Sequence, residues 1–204
     1  MTQKQNPFET IADGLADKGF AVVDEFLSAT EIQDVLRLDL FHAEKLKKAG
    51  IGKENKQIVE GIRGDFIKWI DKADAPEAVR KYTGKLDALR EFLNQSLYLS
   101  LKDYEVHLAL YPAGSFYKRH LDQFKHDDHR KLSVILYLNQ SWNESHGGQL
   151  RMYLENDSFD FLPLAGRLVC FRSDLIEHEV LPATRERKSI TGWMLDQLAD
   201  LRHI

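Results

Sequence analysis

The chain has 204 residues, 43% hydrophobic and 29% charged, which is the mix of a globular protein long enough to bury a core. A formal net charge of -4 gives no overall attraction to nucleic acid or to an anionic membrane. No apolar run approaches a transmembrane span or a signal peptide, and a single cysteine excludes an internal disulfide, so a cytoplasmic protein is expected.

Asn6 followed by Pro7 reads as an N-cap with proline at the first helical position, predicting a helix over 7–17. Residues 19–26 alternate like a strand. Ser28 and Glu31 form a capping-box pattern, and apolar spacing then predicts a helix to about residue 48. Residues 50–69 contain Lys, Gly and Asn before turning apolar, and are expected to form an excursion over the mouth of the fold, where binding loops sit. An amphipathic helix is predicted over 76–98.

The texture changes after Lys102. Short apolar or alternating runs at 104–111, 132–138, 149–153, 159–162, 167–171, 177–181 and 189–195 read as strands separated by turn residues. Seven short strands after a helical block predict an α+β fold with a mainly β core: a sandwich or jelly-roll barrel braced by amino-terminal helices. With no repeat or Pro/Gly-rich linker, one domain is expected over 1–204, with support at about 1–100 and barrel at about 101–196. Cys170, inside the apolar run 167–172, is expected to be a core residue.

The chemistry centres on His120-Leu121-Asp122, then His178, then Arg187. Two imidazoles and one carboxylate can hold a ferrous ion on one face and leave three positions open. Residues two apart on a strand share a face, so His120 and Asp122 can reach one ion, with His178 brought in from a later strand. Alone, an H-x-D is a weak signal in a chain with 8 His. His126 and His129 are rival ligands, read here as loop residues because their turn-rich surroundings give no shared face with Asp122.

Arg187, Ser189 and Thr191 alternate, so all three point one way on the final strand. A guanidinium is a planar, permanently charged partner for a carboxylate, to which Thr191 and Tyr137 could add hydroxyl contacts. The order H-x-D, H, R points to oxygen chemistry driven by 2-oxoglutarate. The bland alternatives are an exposed arginine on an edge strand, and a cupin-like module that binds metal or ligand without turnover.

With these residues assembled, the chain resembles the 2-oxoglutarate- and Fe(II)-dependent dioxygenases, and among them the prolyl 4-hydroxylases of the hypoxia-sensor type and their bacterial relatives. Blocks that carry the resemblance are IRGDFIKWI at 62–70, YPAGSFYKRH at 111–120, LYLN at 136–139, GGQLR at 147–151, HEVLP at 178–182 and the stretch 187–193. The resemblance implies a double-stranded β-helix. It implies that His120, Asp122 and His178 bind Fe(II), and that Arg187 pairs with the distal carboxylate of 2-oxoglutarate, assisted by Tyr137 and Thr191. Tyr111, Tyr117 and Trp193 would line the co-substrate pocket. Asp65 and Arg130 would pair to tie a substrate loop that also carries Arg63, with Trp69 packed beneath.

By the same resemblance, O2 is the second co-substrate, ascorbate supports activity, and the carbon oxidised is C4 of a peptidyl proline. The implied target is a protein met by a monomeric enzyme, with translation elongation factor Tu the leading candidate. A ribosomal protein or a free amino acid is the alternative on the same site. The chain departs from the family pattern at Gln123, where hypoxia-sensor enzymes carry Asn, and at 124–130, which is His- and Asp-rich in place of a Gly-rich turn. Ending at Ile204, it is expected to lack a long C-terminal helix. These departures fall near the expected substrate groove.

Overall fold

The computed structural model describes residues 6–50, 62–123, 128–155 and 157–199. Helix α1 runs Pro7–Lys18, with the Asn6 side chain accepting from the Phe8 amide at its start and Gly19, at φ 78°, ending it in a left-handed turn. Strand β1 (Phe20–Val23) follows directly. Helix α2 (Ala29–Arg37) opens with the predicted capping box, in which Ser28 and Glu31 satisfy each other's backbone donors.

The helix expected to reach residue 48 stops at Arg37. Asp39 takes a positive φ of 55°, and Lys45 donates to the Asp39 carbonyl, closing a loop that a helix could not make. A single 3-10 turn (Ala43–Lys45) and a two-residue strand β2 (Lys47–Lys48) follow. Phe41 and Leu46 are both buried, so the apolar spacing was real but serves a loop that packs. Sheet pairing at the far end overrides helical propensity.

A second correction concerns 50–69. Its second half enters the sheet: β3 (Phe66–Trp69) pairs with β2 on one side and with β4 (Asp103–Tyr111) on the other. The first half, 51–61, lies outside the described residues. Helix α3 (Glu77–Leu97) matches the predicted amphipathic helix and ends where Tyr98 turns left-handed.

The remaining strands are β5 (Tyr117–His120), β6 (Arg130–Tyr137), β7 (Leu150–Leu154), β8 (Asp157–Phe161), β9 (Leu168–Arg172), β10 (Glu177–Val180) and β11 (Arg187–Leu195). They form two antiparallel sheets, a seven-stranded one in the order β1-β9-β6-β11-β4-β3-β2 and a four-stranded one in the order β5-β10-β7-β8. This is the double-stranded β-helix with its helical brace.

Strand alternation splits the core in two. Val106, Leu108 and Leu110 of β4, Leu132 and Val134 of β6 and Ile190 of β11 pack with Leu86, Leu89 and Leu93 of α3. Their odd-numbered neighbours Ala109, Tyr111, Ile135 and Tyr137 face the other way, into a cluster with Leu150 and Met152 of the smaller sheet. The larger sheet is therefore covered on both faces, which is why its strands read as near-continuous apolar runs. Cys170 is a core residue of β9, its thiol pushed up to about 12 by burial. No helix among the described residues is long and apolar enough to cross a membrane.

Candidate active site

β5 and β10 are neighbours, and His178 stands directly opposite His120 in their register. Facing residues of an antiparallel pair project to the same side, which brings the imidazoles to 4.3 Å between ring centroids. Asp122 lies in a bend two residues beyond the end of β5, so strand alternation is not what aims it, contrary to expectation. Its Oδ2 accepts from Ser133 Oγ of β6 at 2.6 Å, and Ser133 is held in turn by Ser173 Oγ at 2.9 Å. The next residue's amide, on Gln123, donates to the Ser173 carbonyl.

The result is three converging donors. His120 Nε2 lies 3.5 Å from Asp122 Oδ1 and His178 Nε2 lies 3.6 Å from Asp122 Oδ2. Among the described residues this is the one group of three or more His, Cys, Asp or Glu able to share an ion, its ligand atoms all within 4.8 Å. Nδ1 of His120 sits 2.6 Å from the Lys118 carbonyl, and Nδ1 of His178 sits 3.2 Å from that of Ile176. Each carbonyl can only accept, so Nδ1 carries a proton in both rings and Nε2 is the atom turned to the Asp122 side. Tyr117 stacks on His120 at 3.6 Å, and the Phe171 ring meets His178 edge-on at 4.7 Å, so neither imidazole is free to swing.

The electrostatics suit a cation. Burial lowers His178 to about 4, leaving a neutral imidazole at neutral pH. Burial alone would raise the Asp122 carboxyl, but His178, His120 and the Ser133 hydroxyl overcome it and hold the group well below the usual carboxylate range. A ready anion beside the neutral His178, with His120 on the same face, fits Fe(II).

Arg187 opens β11. It is 2% exposed, yet no carboxylate among the described residues pairs with it; Glu186 turns instead to Lys188 at 3.3 Å. One nitrogen, Nη2, donates to Tyr137 OH at 3.2 Å, while Nε has no partner. The guanidinium lies over the rings of Tyr111 and Tyr137, at 5.1 and 4.8 Å. Ser189 and Thr191 follow on the same face, their hydroxyls 3.1 Å apart. Burial raises the phenols of Tyr111 and Tyr137, keeping both protonated and able to donate. A buried cation without its anion is costly, and a dicarboxylate such as 2-oxoglutarate supplies what is missing.

The mouth differs from the expectation in one pairing. Asp65 and Arg130 do not bond to each other. Arg63, two residues away, already grips Asp65 with two nitrogens at 2.7 and 2.6 Å and lies over the Tyr117 ring at 4.4 Å. Arg130 donates twice to Glu105 Oε1, at 3.0 and 2.7 Å, and covers Trp193 at 3.5 Å. Glu105 stands opposite Trp193 in the β4–β11 register, which delivers it to Arg130. Gly192 makes this close approach possible, since a Cβ there would collide with the Glu105 carbonyl oxygen. Trp69 packs on His107 and Trp193, so the contacts of Trp193 are with this group.

Among the rival ligands, His129 binds Asp196 at 2.8 Å, away from the metal group. His126 lies outside the described residues. Gln123 donates to the carbonyls of Asp128 and Arg130; residues 124–127 of the departing stretch lie outside the described residues. Sequence reasoning missed Ser133 and His107. The available signal was a lone polar residue at an inward position of an otherwise apolar strand.

Residues 106–195 match the 2OG-Fe(II) oxygenase superfamily. A prolyl-4-hydroxylase from Pseudomonas putida is 42% identical, with a TM-score of 0.84 over 93% of this chain and 99% of that one. A prolyl hydroxylase from Trichoplax adhaerens, solved in complex with a hypoxia inducible factor peptide fragment, is 31% identical, with a TM-score of 0.86 over 93% and 89%. Prolyl hydroxylase EGLN3 of Rattus norvegicus is 31% identical over 92% of this chain and 83% of its own length. The hypoxia-inducible factor prolyl hydroxylase of Caenorhabditis elegans is also 31% identical, and there the chain spans only 28% of the relative. This chain therefore belongs to the 2OG-Fe(II) oxygenase superfamily, among its prolyl hydroxylases, whose cofactor is Fe(II) and whose co-substrate is 2-oxoglutarate.

Proposed function

We propose that this chain hydroxylates C4 of a peptidyl proline in a protein target, consuming O2 and 2-oxoglutarate and releasing succinate and CO2. The leading candidate target is translation elongation factor Tu, in the cytoplasm. The observation that carries the reading is Arg187, a buried guanidinium with no carboxylate partner among the described residues, on the same inward face as Thr191 and bonded to Tyr137. A simple metal-binding barrel has no use for such an anchor.

In this reading His120, Asp122 and His178 hold the iron, which with its co-substrate supplies the oxidising chemistry for one C–H bond. Ser133 fixes the Asp122 carboxylate and the two backbone carbonyls fix the imidazoles, so the protein sets the ligand directions in advance. Arg187 receives the far carboxylate of 2-oxoglutarate by charge-assisted hydrogen bonds, with the protonated phenol of Tyr137 beside it. Tyr111 covers the guanidinium and keeps water from it. At the mouth, the Arg63–Asp65 and Arg130–Glu105 pairs brace the opening through which a peptide segment reaches the metal group. The Trichoplax relative supports a peptide as the occupant, since its own structure holds one.

The test is mass spectrometry of elongation factor Tu incubated with the enzyme, Fe(II), ascorbate and 2-oxoglutarate. The expected result is a gain of one oxygen atom on a single prolyl peptide, matched by succinate and absent with His178→Ala. No gain on any prolyl residue, or a gain confined to another residue type, contradicts the proposal.

A further inference from the structure

Arg187 is the first residue of β11 and follows a bend at 184–185. On one side β4 still pairs with it, Tyr111 standing opposite. On the other side the β6 ladder has already ended, its last pair being Tyr137 with Ser189. A strand end that has lost one neighbour tends to fray, yet this one carries a buried guanidinium. That group is held by few bonds of its own: Nη2 donates to the Tyr137 phenol at 3.2 Å, and Nε has no partner. Its position therefore depends on the backbone that carries it.

Asn139, the last residue of the LYLN block, takes over where β6 stops. It is buried, and its Oδ1 accepts from the Lys188 amide at 2.6 Å while its Nδ2 donates to the Lys188 carbonyl at 3.1 Å. One side-chain amide thus supplies both the acceptor and the donor that a neighbouring strand would offer, and it does so for the residue directly after Arg187. The same Nδ2 donates to the Pro163 carbonyl at 2.9 Å, and the Asn139 carbonyl accepts from the Ala165 amide at 3.1 Å. The clamp is anchored in this way to the turn before β9, outside the strand it holds.

We propose that Asn139 is a positioning residue for 2-oxoglutarate: by holding both backbone groups of Lys188, it aims the Arg187 guanidinium at the far carboxylate. The inference rests on Arg187 being the co-substrate anchor. A forked arginine–carboxylate contact is directional, so a displacement of about 1 Å is costly. The Asn139 amide is committed to backbone partners and acts through Lys188, not by touching the co-substrate. A residue that only supports the fold would weaken every ligand of the site alike. Asn139 should matter only to a ligand that carries a distal carboxylate.

The experiment uses the full chain with Fe(II) and without oxygen, as wild type, Asn139→Ala, Arg187→Met and the double variant. Asn139→Leu, close in volume and unable to hydrogen-bond, stands in for alanine if that variant does not fold. Two probes are titrated by charge-transfer absorbance. One is 2-oxoglutarate; the other is 2-oxopentanoate, which keeps the chain length and the 2-oxo acid head but has no distal carboxylate. Fe(II) affinity is measured by competition. A readout without metal is amide hydrogen exchange, followed at Lys188 and, within the ladder, at Ile190.

Asn139→Ala is expected to raise the 2-oxoglutarate midpoint about tenfold, less than the loss of Arg187 itself. The 2-oxopentanoate midpoint and the Fe(II) affinity should stay within about twofold, and in the Arg187→Met background the same change should cost under about twofold. In the metal-free wild type Lys188 should exchange as slowly as Ile190, and in the alanine variant about tenfold faster. The assignment is overturned if alanine keeps the wild-type 2-oxoglutarate midpoint, if both probes weaken equally, which leaves only packing, or if the effect persists in full beside Arg187→Met. Rapid exchange at Lys188 in the wild type overturns it without any variant. Should the wild type bind both probes with one midpoint, the anchor reading of Arg187 is wrong and the role of Asn139 falls with it, a failure distinct from the others.

Discussion

The two ends of the site use arginine in opposite ways. At the mouth, Arg63 is bound by Asp65 and Arg130 by Glu105, each with two guanidinium nitrogens on the carboxylate. At the inner end Arg187 is more deeply buried than either, yet among the described residues its guanidinium finds a phenol and no carboxylate. A buried cation whose partner is built in is part of the scaffold. One whose partner is absent is a binding site, kept at a cost to the folded protein until its anion arrives.

Stability measurements can break that comparison. Arg63→Met leaves Asp65, 1% exposed, as a buried carboxylate without its partner, and should destabilise the protein by about 3–5 kcal/mol in a denaturant titration. Arg187→Met leaves no stranded charge. The protein without metal or co-substrate should stay within about 1 kcal/mol of wild type or gain stability. Similar losses from both substitutions would erase the distinction between scaffold and anchor.

Acid sharpens it further. His178 and His107 are lowered by burial to about 4 and about 3, whereas an unfolded chain protonates its histidines near 6.5. The unfolded state therefore binds more protons as pH falls from about 6.5 to about 4, and the metal-free fold loses stability across that window, on the order of 3 kcal/mol for each histidine. His107→Leu should flatten the part of the slope that extends below pH 4; an unchanged slope would contradict the burial of a neutral ring.

The smallest effect belongs to Ser133→Ala. It removes the hydrogen bonds to Asp122 and to Ser173 and should weaken Fe(II) or Mn(II) binding about 10–100-fold in a competition titration. An unaltered metal affinity would mean that the bend after β5 aims the carboxylate without help.

How far the sequence could be read depended on whether a residue's partner was close along the chain. Arg187, Ser189 and Thr191 were legible as one face because alternation within a strand is local, and the structure keeps Ser189 and Thr191 in contact. His120 and His178 were legible as chemistry, and their facing register on β5 and β10 explains why they meet. Asp122 was named for the wrong reason, since Ser133, eleven residues on in another strand, does the aiming. The Asp65–Arg130 pair failed similarly: the competitors Arg63 and Glu105 were visible as residues, but their positions across β3, β4 and β11 were not. Strand β3 was hidden because four residues after a polar stretch carry too little periodicity to be told from a loop. The truncated α2 shows the reverse error, apolar spacing that looked helical and packs as a loop around Asp39.

One anaerobic titration tests the central claim most directly. Fe(II) and 2-oxoglutarate are added to wild type, His178→Ala and Arg187→Met, and the visible charge-transfer absorbance of the chelated co-substrate is followed. Wild type should develop the band, His178→Ala should not, and Arg187→Met should need on the order of 100-fold more 2-oxoglutarate, the loss expected when a buried charge-paired contact is removed. No band in wild type, or the same midpoint with and without Arg187, would contradict the account.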